Sequence, residues 1–159
     1  MRDGYVLISP ITGSKCFING FENFKKQQNN FDEDYWNLYK AEKKSNSTRF
    51  AEMQSQVRKY FNFKGIIERM ALNYPIQGQS AEITKIACIM FFDWIVQNKY
   101  LNIVKIVNTV HDEIVAECPD DLVNVTSHAL EAAMNNAAKI YCKRVLLTAS
   151  PEASKFWKK

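Results

Sequence analysis

The sequence predicts an α+β fold, and three observations carry that prediction. Residues 104–117 place two runs rich in β-branched side chains around a polar triplet. Residues 83–96 are apolar on nearly every side of a helix, so that helix is expected to be buried almost all round. The second half then reads as strand pair, helix, strand. That order folds as helices on one face of an antiparallel sheet.

Taken in order, Tyr5 to Ile8 read as a short strand, residues 12–15 as a turn, and Cys16 to Ile18 as the returning strand, punctuated by Pro10 and Gly20. Residues 21–30 are polar and amide-rich and read as a loop. Asp32 or its neighbours cap a helix through Tyr35, Trp36, Leu38, Tyr39 and Lys43. Residues 45–47 break it, with Ser47 as the next cap. Phe50, Met53, Val57 and Phe61 then mark one buried helical face. A short helix over residues 66–72 should end before Tyr74 and Pro75, because a residue preceding proline disfavours helix. After the Val104–Glu117 hairpin, Pro119, Asp120 and Asp121 open a helix whose positive end the carboxylates suit. It runs to about Lys143 through Leu122, Val125, Ala129, Ala133, Ala137 and Tyr141. Residues 145–148 read as a last strand.

Composition narrows the class. The chain has 159 residues, 47% of them hydrophobic, which is enough for one core. Its net charge of +4 is local. Residues 25–69 hold ten basic and six acidic side chains, and the remainder is balanced. Such a segment fits phosphate binding, and equally a solvated helical face, which is the commoner cause. Cys16, Cys88, Cys118 and Cys142 show no C-x-x-C spacing and His128 has no cysteine near it, which argues against a zinc site. Cys88 lies in an apolar run and should be buried and reduced. No secretory or membrane-spanning segment is present in the sequence, so a soluble intracellular protein without a membrane partner is expected.

Two constellations could carry chemistry. At the hairpin tip stand His111, Asp112 and Glu113. Paired carboxylates held by apolar strands could bind Mg²⁺, which takes one or two protein carboxylates plus substrate phosphates. They could equally be a solvated turn, as Asp32 and Glu33 are among their polar neighbours. The second constellation is Arg69, Asn73 and Gln77. Arg69 and Asn73 are four apart on a helix, and Gln77 follows the proline turn. Their donors suit the minor groove of a duplex, where every base pair offers acceptors. Each one alone would pass for a solvated polar residue.

Together the motifs Glu68-Arg69-x-x-x-Asn73-x-Pro75-Ile76-Gln77-Gly78-x-x-Ala81 and Val110-His111-Asp112-Glu113, in this order and separated by a long helix, closely resemble the family A DNA polymerases. That class includes bacterial DNA polymerase I and many phage replicases. The resemblance extends from Gly4 through the Thr12–Lys15 turn to Trp157. It implies a partial right-hand polymerase fold, in which a palm-type antiparallel sheet with a carboxylate-bearing β-hairpin packs against long helices. The whole chain, 1–159, would be the C-terminal part of the polymerase domain: a hairpin over 1–20, a basic helical insertion over 21–64, and the palm core over 65–159 with its terminal helix and strand.

The resemblance also implies roles. Asp112 matches a catalytic, metal-binding aspartate, and Glu113 the auxiliary carboxylate beside it. His111 matches a residue near the primer terminus. Arg69, Asn73 and Gln77 match contacts to the primer–template duplex. The implied reaction is attack of a primer 3′-hydroxyl on a dNTP, with two Mg²⁺ ions about 3.5–4 Å apart at the attacking and leaving oxygens. It would take place in the cytoplasm of a bacterium or a phage-infected host. The family's first catalytic aspartate strand and its triphosphate-gripping fingers helix do not occur in the sequence. The chain would therefore be either one product of a split gene, sharing its Mg²⁺ site with an aspartate on a second polypeptide, or a truncated copy. A non-catalytic DNA-binding or regulatory module, or an inert remnant, is the alternative.

Overall fold

The computed structural model describes residues 4–9, 11–45 and 48–157. Pro10 and the Ser47 cap lie outside them. The architecture is α+β, in two compact units, 1–76 and 77–159.

In the first unit, β1 (Tyr5–Leu7) pairs antiparallel with β2 (Lys15–Phe17), with Val6 opposite Cys16. Ser9 closes the turn from within. Its buried hydroxyl accepts the N–H groups of Ile11 and Thr12 at 3.1 and 3.3 Å. Residues 21–29 are not the expected loop. They form helix α1 (Phe21–Asn29). The amide-rich composition hid a helical signal. Phe21 and Phe24 are three apart and meet one face, and Glu, Lys and Gln are good helix formers. Gly20 starts α1 at φ +82°, and a Cβ there would lie 3.0 Å from the Phe63 ring. Glycine fits both demands.

Helix α2 (Glu33–Ser45) forms where expected, and Asp32 Oδ1 accepts the Tyr35 N–H at 2.8 Å. The Tyr35 hydroxyl reaches the Met53 carbonyl at 3.3 Å. An aromatic cluster fills the space beside it: Phe31 lies 4.5 Å from Tyr60 and 4.8 Å from Tyr35 between ring centres.

Helix α3 runs from Thr48 to Gln97 and carries Pro75 inside it, so the break expected at Tyr74 does not occur. Proline removes the bond to the Ala71 carbonyl and crowds it, at about 3 kcal/mol. Burial on both sides outweighs that local cost. Before Pro75, Met70, Ala71 and Tyr74 pack on a core of Ile18, Phe21 and Ile67. After it, Ile83 and Ile86 pack with Ala87. The buried line in the first unit is Met53, Tyr60 and Ile67, seven apart, whereas Phe61 stays half exposed.

In the second unit the end of α3 meets a strand pair and a helix. The pair is β3 (Lys105–Val110) and β4 (Glu113–Glu117), antiparallel. After a 3₁₀ turn at Asp120–Leu122 comes α4 (Val123–Tyr141). Phe91, Ile95, Val104 and Ala133 form one buried cluster; Ala87, Ile114 and Ala137 form another. The apolar part of α3 is not buried all round. Ile89, Phe92 and Val96 keep 61, 50 and 49% of their surface exposed. Among the described residues of the second unit, helix α4 and the β3–β4 hairpin pack on the Ala87, Phe91 and Ile95 side instead.

Residues 145–148 form no strand, which corrects the last expected element. A strand needs a ladder partner, and both described sheets stop at two strands. Leu146 is 71% exposed as a result. No helix among the described residues is long and apolar enough to cross a membrane.

Cys88 is partly covered, and burial pushes its thiol up from the ordinary range. The thiolate is the reactive form. Iodoacetamide should therefore label Cys88 more slowly than an unstructured cysteine at the same pH, and denaturant should abolish the difference. Peptide mass mapping over a time course checks it.

Candidate active site

The hairpin tip is the two-residue loop between Val110 and Glu113, which face each other across the ladder. β-Branched residues favour the strands, but the loop has no glycine. His111 takes φ +54°, where the first central residue of a type II′ turn sits and glycine is usual. A non-glycine residue held there costs on the order of 1–2 kcal/mol.

Surrounding structure holds that strained residue. Ile114 turns inward and packs with Ala87 and Ala137. The buried Thr84 hydroxyl lies 3.1 Å from the Ser80 carbonyl and 3.4 Å from that of His111, tying α3 to the tip. A bulge at Val107 shifts the register, so that Asn108 faces Val115 and Thr109 faces Ile114. Bulges of this kind re-aim side chains beside functional sites.

His111, Asp112 and Glu113 are thus brought together and exposed. Among the described residues Asp112 has no hydrogen bond or ion pair. Glu113 Oε1 accepts the Trp157 indole N–H at 2.9 Å. Residues 143–157 follow α4 without regular structure and are tied down at two further points. The Ala149 N–H reaches Asn135 Oδ1 at 2.8 Å, and Lys155 pairs with Asp120 at 2.5 Å. Between this segment, the hairpin and α4 lies a cleft of about 1350 Å³ that includes Asp112, Glu113, Thr84 and Met134 in its lining.

Arg69 and Asn73 are exposed and four apart on α3 in the first unit. Gln77 is exposed in the second unit and lies within α3 rather than after a proline turn. Among the described residues no group of three or more His, Cys, Asp or Glu could hold a metal. The donor set at the tip is a carboxylate pair.

A family model described as DNA polymerase family A matches residues 16–159. The chain belongs to DNA polymerase family A. Over 89 residues it is 39% identical to DNA polymerase I of Aquifex aeolicus strain VF5, covering 56% of this chain and 15% of that protein. Over 59 residues it is 48% identical to DNA polymerase I of Streptococcus pneumoniae serotype 4, covering 37% and 6%. DNA polymerase theta of Caenorhabditis elegans is 36% identical over 92 residues, covering 57% and 5%. The match therefore spans 15% or less of each of these relatives.

Within this family A chain, sequence reading missed two supports of the tip. Thr84 has a faint local signal, three residues before Ala87 on the buried side of α3. Trp157 has none for its contact, being 44 residues from Glu113. Removing the Thr84 hydroxyl as Thr84→Val should cost about 1 kcal/mol, the worth of a typical hydrogen bond. Urea unfolding measures the loss, and amide exchange at residues 110–113 should rise with it.

Proposed function

We propose that this chain supplies the C-terminal, carboxylate-bearing part of a DNA polymerase that transfers nucleotides from dNTPs to a primer 3′-hydroxyl. The observation that carries this reading is the exposed Asp112–Glu113 pair on a braced hairpin tip, in a chain of family A. The pair fits Mg²⁺, because that ion uses one or two protein carboxylates and takes its other oxygens from substrate phosphates and water.

Asp112, which has no partner among the described residues, would hold the cation, and Glu113 would assist. Bound there, Mg²⁺ would stabilise charge on the attacking and leaving oxygens of phosphoryl transfer. His111, fixed by the turn, would position the primer end. Arg69, Asn73 and Gln77 would lay donors along the minor groove, where acceptors recur at every pair and geometry is checked without reading sequence. Positioning and charge stabilisation are what such a reaction asks of a protein.

The remaining catalytic aspartate and the triphosphate grip would come from another part of the polymerase. The exposed Ile89, Phe92 and Val96 stripe supports a further partner surface.

The test is primer extension with Mg²⁺ by material purified on this chain from its native source. Activity that disappears with Asp112→Asn supports the reading. DNA binding that weakens with salt and survives loss of both carboxylates, with no extension under Mg²⁺ or Mn²⁺, would make the chain a binding module instead.

A further inference from the structure

We infer that Trp157 is a positioning residue, which holds the Glu113 carboxylate at the tip for the cation. The inference rests on the proposed metal role of the hairpin. Its basis is the 2.9 Å bond from the indole Nε1–H to Glu113 Oε1.

The segment that carries Trp157 has no regular structure, yet it is tied to three different elements. Ala149 is held by α4, Lys155 by the 3₁₀ turn and Trp157 by β4. Lys155 and Trp157, two residues apart across a bend, each reach an acidic partner. Lys155 takes Asp120, on the 3₁₀ turn. The position beside the metal-side carboxylate is held by a neutral donor.

That difference has a chemical consequence. An indole N–H donates one hydrogen bond, accepts none and carries no charge. It can fix a carboxylate without neutralising it and without competing as a ligand. A lysine at the same place would cancel the charge that the cation needs. With Oε1 engaged, Oε2 accepts from no donor among the described residues. One oxygen is anchored and the other has no partner among the described residues, while three otherwise mobile side-chain torsions are restrained. Hydrogen-bond partners of metal-binding side chains raise affinity through this kind of orientation.

The test is NMR on the full chain with ¹⁵N-labelled indoles, with the Trp157 signal assigned by its loss in Trp157→Phe. Glu113→Ala should shift that signal and Glu113→Gln, which keeps Oε1, should leave it near its wild-type position. A signal unmoved by Glu113→Ala overturns the contact, whatever binds at the tip.

Mn²⁺ alone is the second probe, read from paramagnetic broadening of the Asp112 and Glu113 amides. Trp157→Phe should raise the Mn²⁺ concentration at half-broadening about tenfold, the lower end for loss of a ligand's hydrogen-bond partner. The unbroadened amide shifts of the tip should stay as in the wild type, which separates orientation from collapse of the hairpin. An unchanged midpoint overturns the positioning role. Wild-type amides that stay sharp in Mn²⁺ overturn the metal reading itself, and are told apart from failure of the contact by the Glu113→Ala shift.

Discussion

On the proposed function, Asp112→Asn should slow primer extension by material purified on this chain on the order of 10³-fold, equivalent to ~4 kcal/mol of transition-state stabilisation. Asparagine keeps the size of the side chain and one oxygen. What it removes is the negative charge, and a hard dication binds through that charge. The loss should fall on the chemical step, so single-turnover rates should drop while binding of primer–template changes little.

Stability should not move. Asp112 is exposed and has no hydrogen bond or ion pair among the described residues, and surface substitutions of that kind stay within about 0.5 kcal/mol. An unchanged urea midpoint with an extinguished rate is the expected pair of results. A rate within threefold of wild type would remove Asp112 from the metal site.

What the sequence made legible follows from how local each cause is. The β3–β4 hairpin was readable because β-branched runs favour strands on their own, and the polar triplet marked the turn. The Asp32 cap was readable because its bond to Tyr35 spans three residues. Pro75 misled for the same reason. Its penalty is local, whereas the packing that offsets it involves Ile18 and Phe21, some fifty residues away in sequence. The strand expected over 145–148 failed because a strand is only as real as its partner.

The candidate site divides along the same line. The chemistry-bearing residues at 111–113 stand side by side, and their order is itself a motif. The residues that brace them, Thr84 and Trp157, come from 27 and 44 positions away. No periodicity or propensity encodes those distances.

The second large effect is on the body that carries the tip. Phe91→Ala should destabilise the 77–159 unit by about 3–5 kcal/mol, the usual cost of emptying a buried phenylalanine site. Phe91 is 0% exposed, and its ring stacks on Trp94 at 5.8 Å with the planes 7° apart. Ile95, Val104 and Ala133 close the same cluster, and Ile106 of β3 packs against it. These neighbours sit on two helices and the approach to β3, so they cannot collapse into the space without moving the hairpin. Domains of this size hold roughly 5–15 kcal/mol in all, and a loss of 3–5 kcal/mol takes a large share of it. Trp94 fluorescence through a urea titration should show a much earlier midpoint. Primer extension should fall only as the folded fraction falls, and recover at low temperature or with stabilising osmolyte. Asp112→Asn should not recover under either condition. A Phe91→Ala chain that unfolds like the wild type would mean that the helix–hairpin core is not what holds the tip in place.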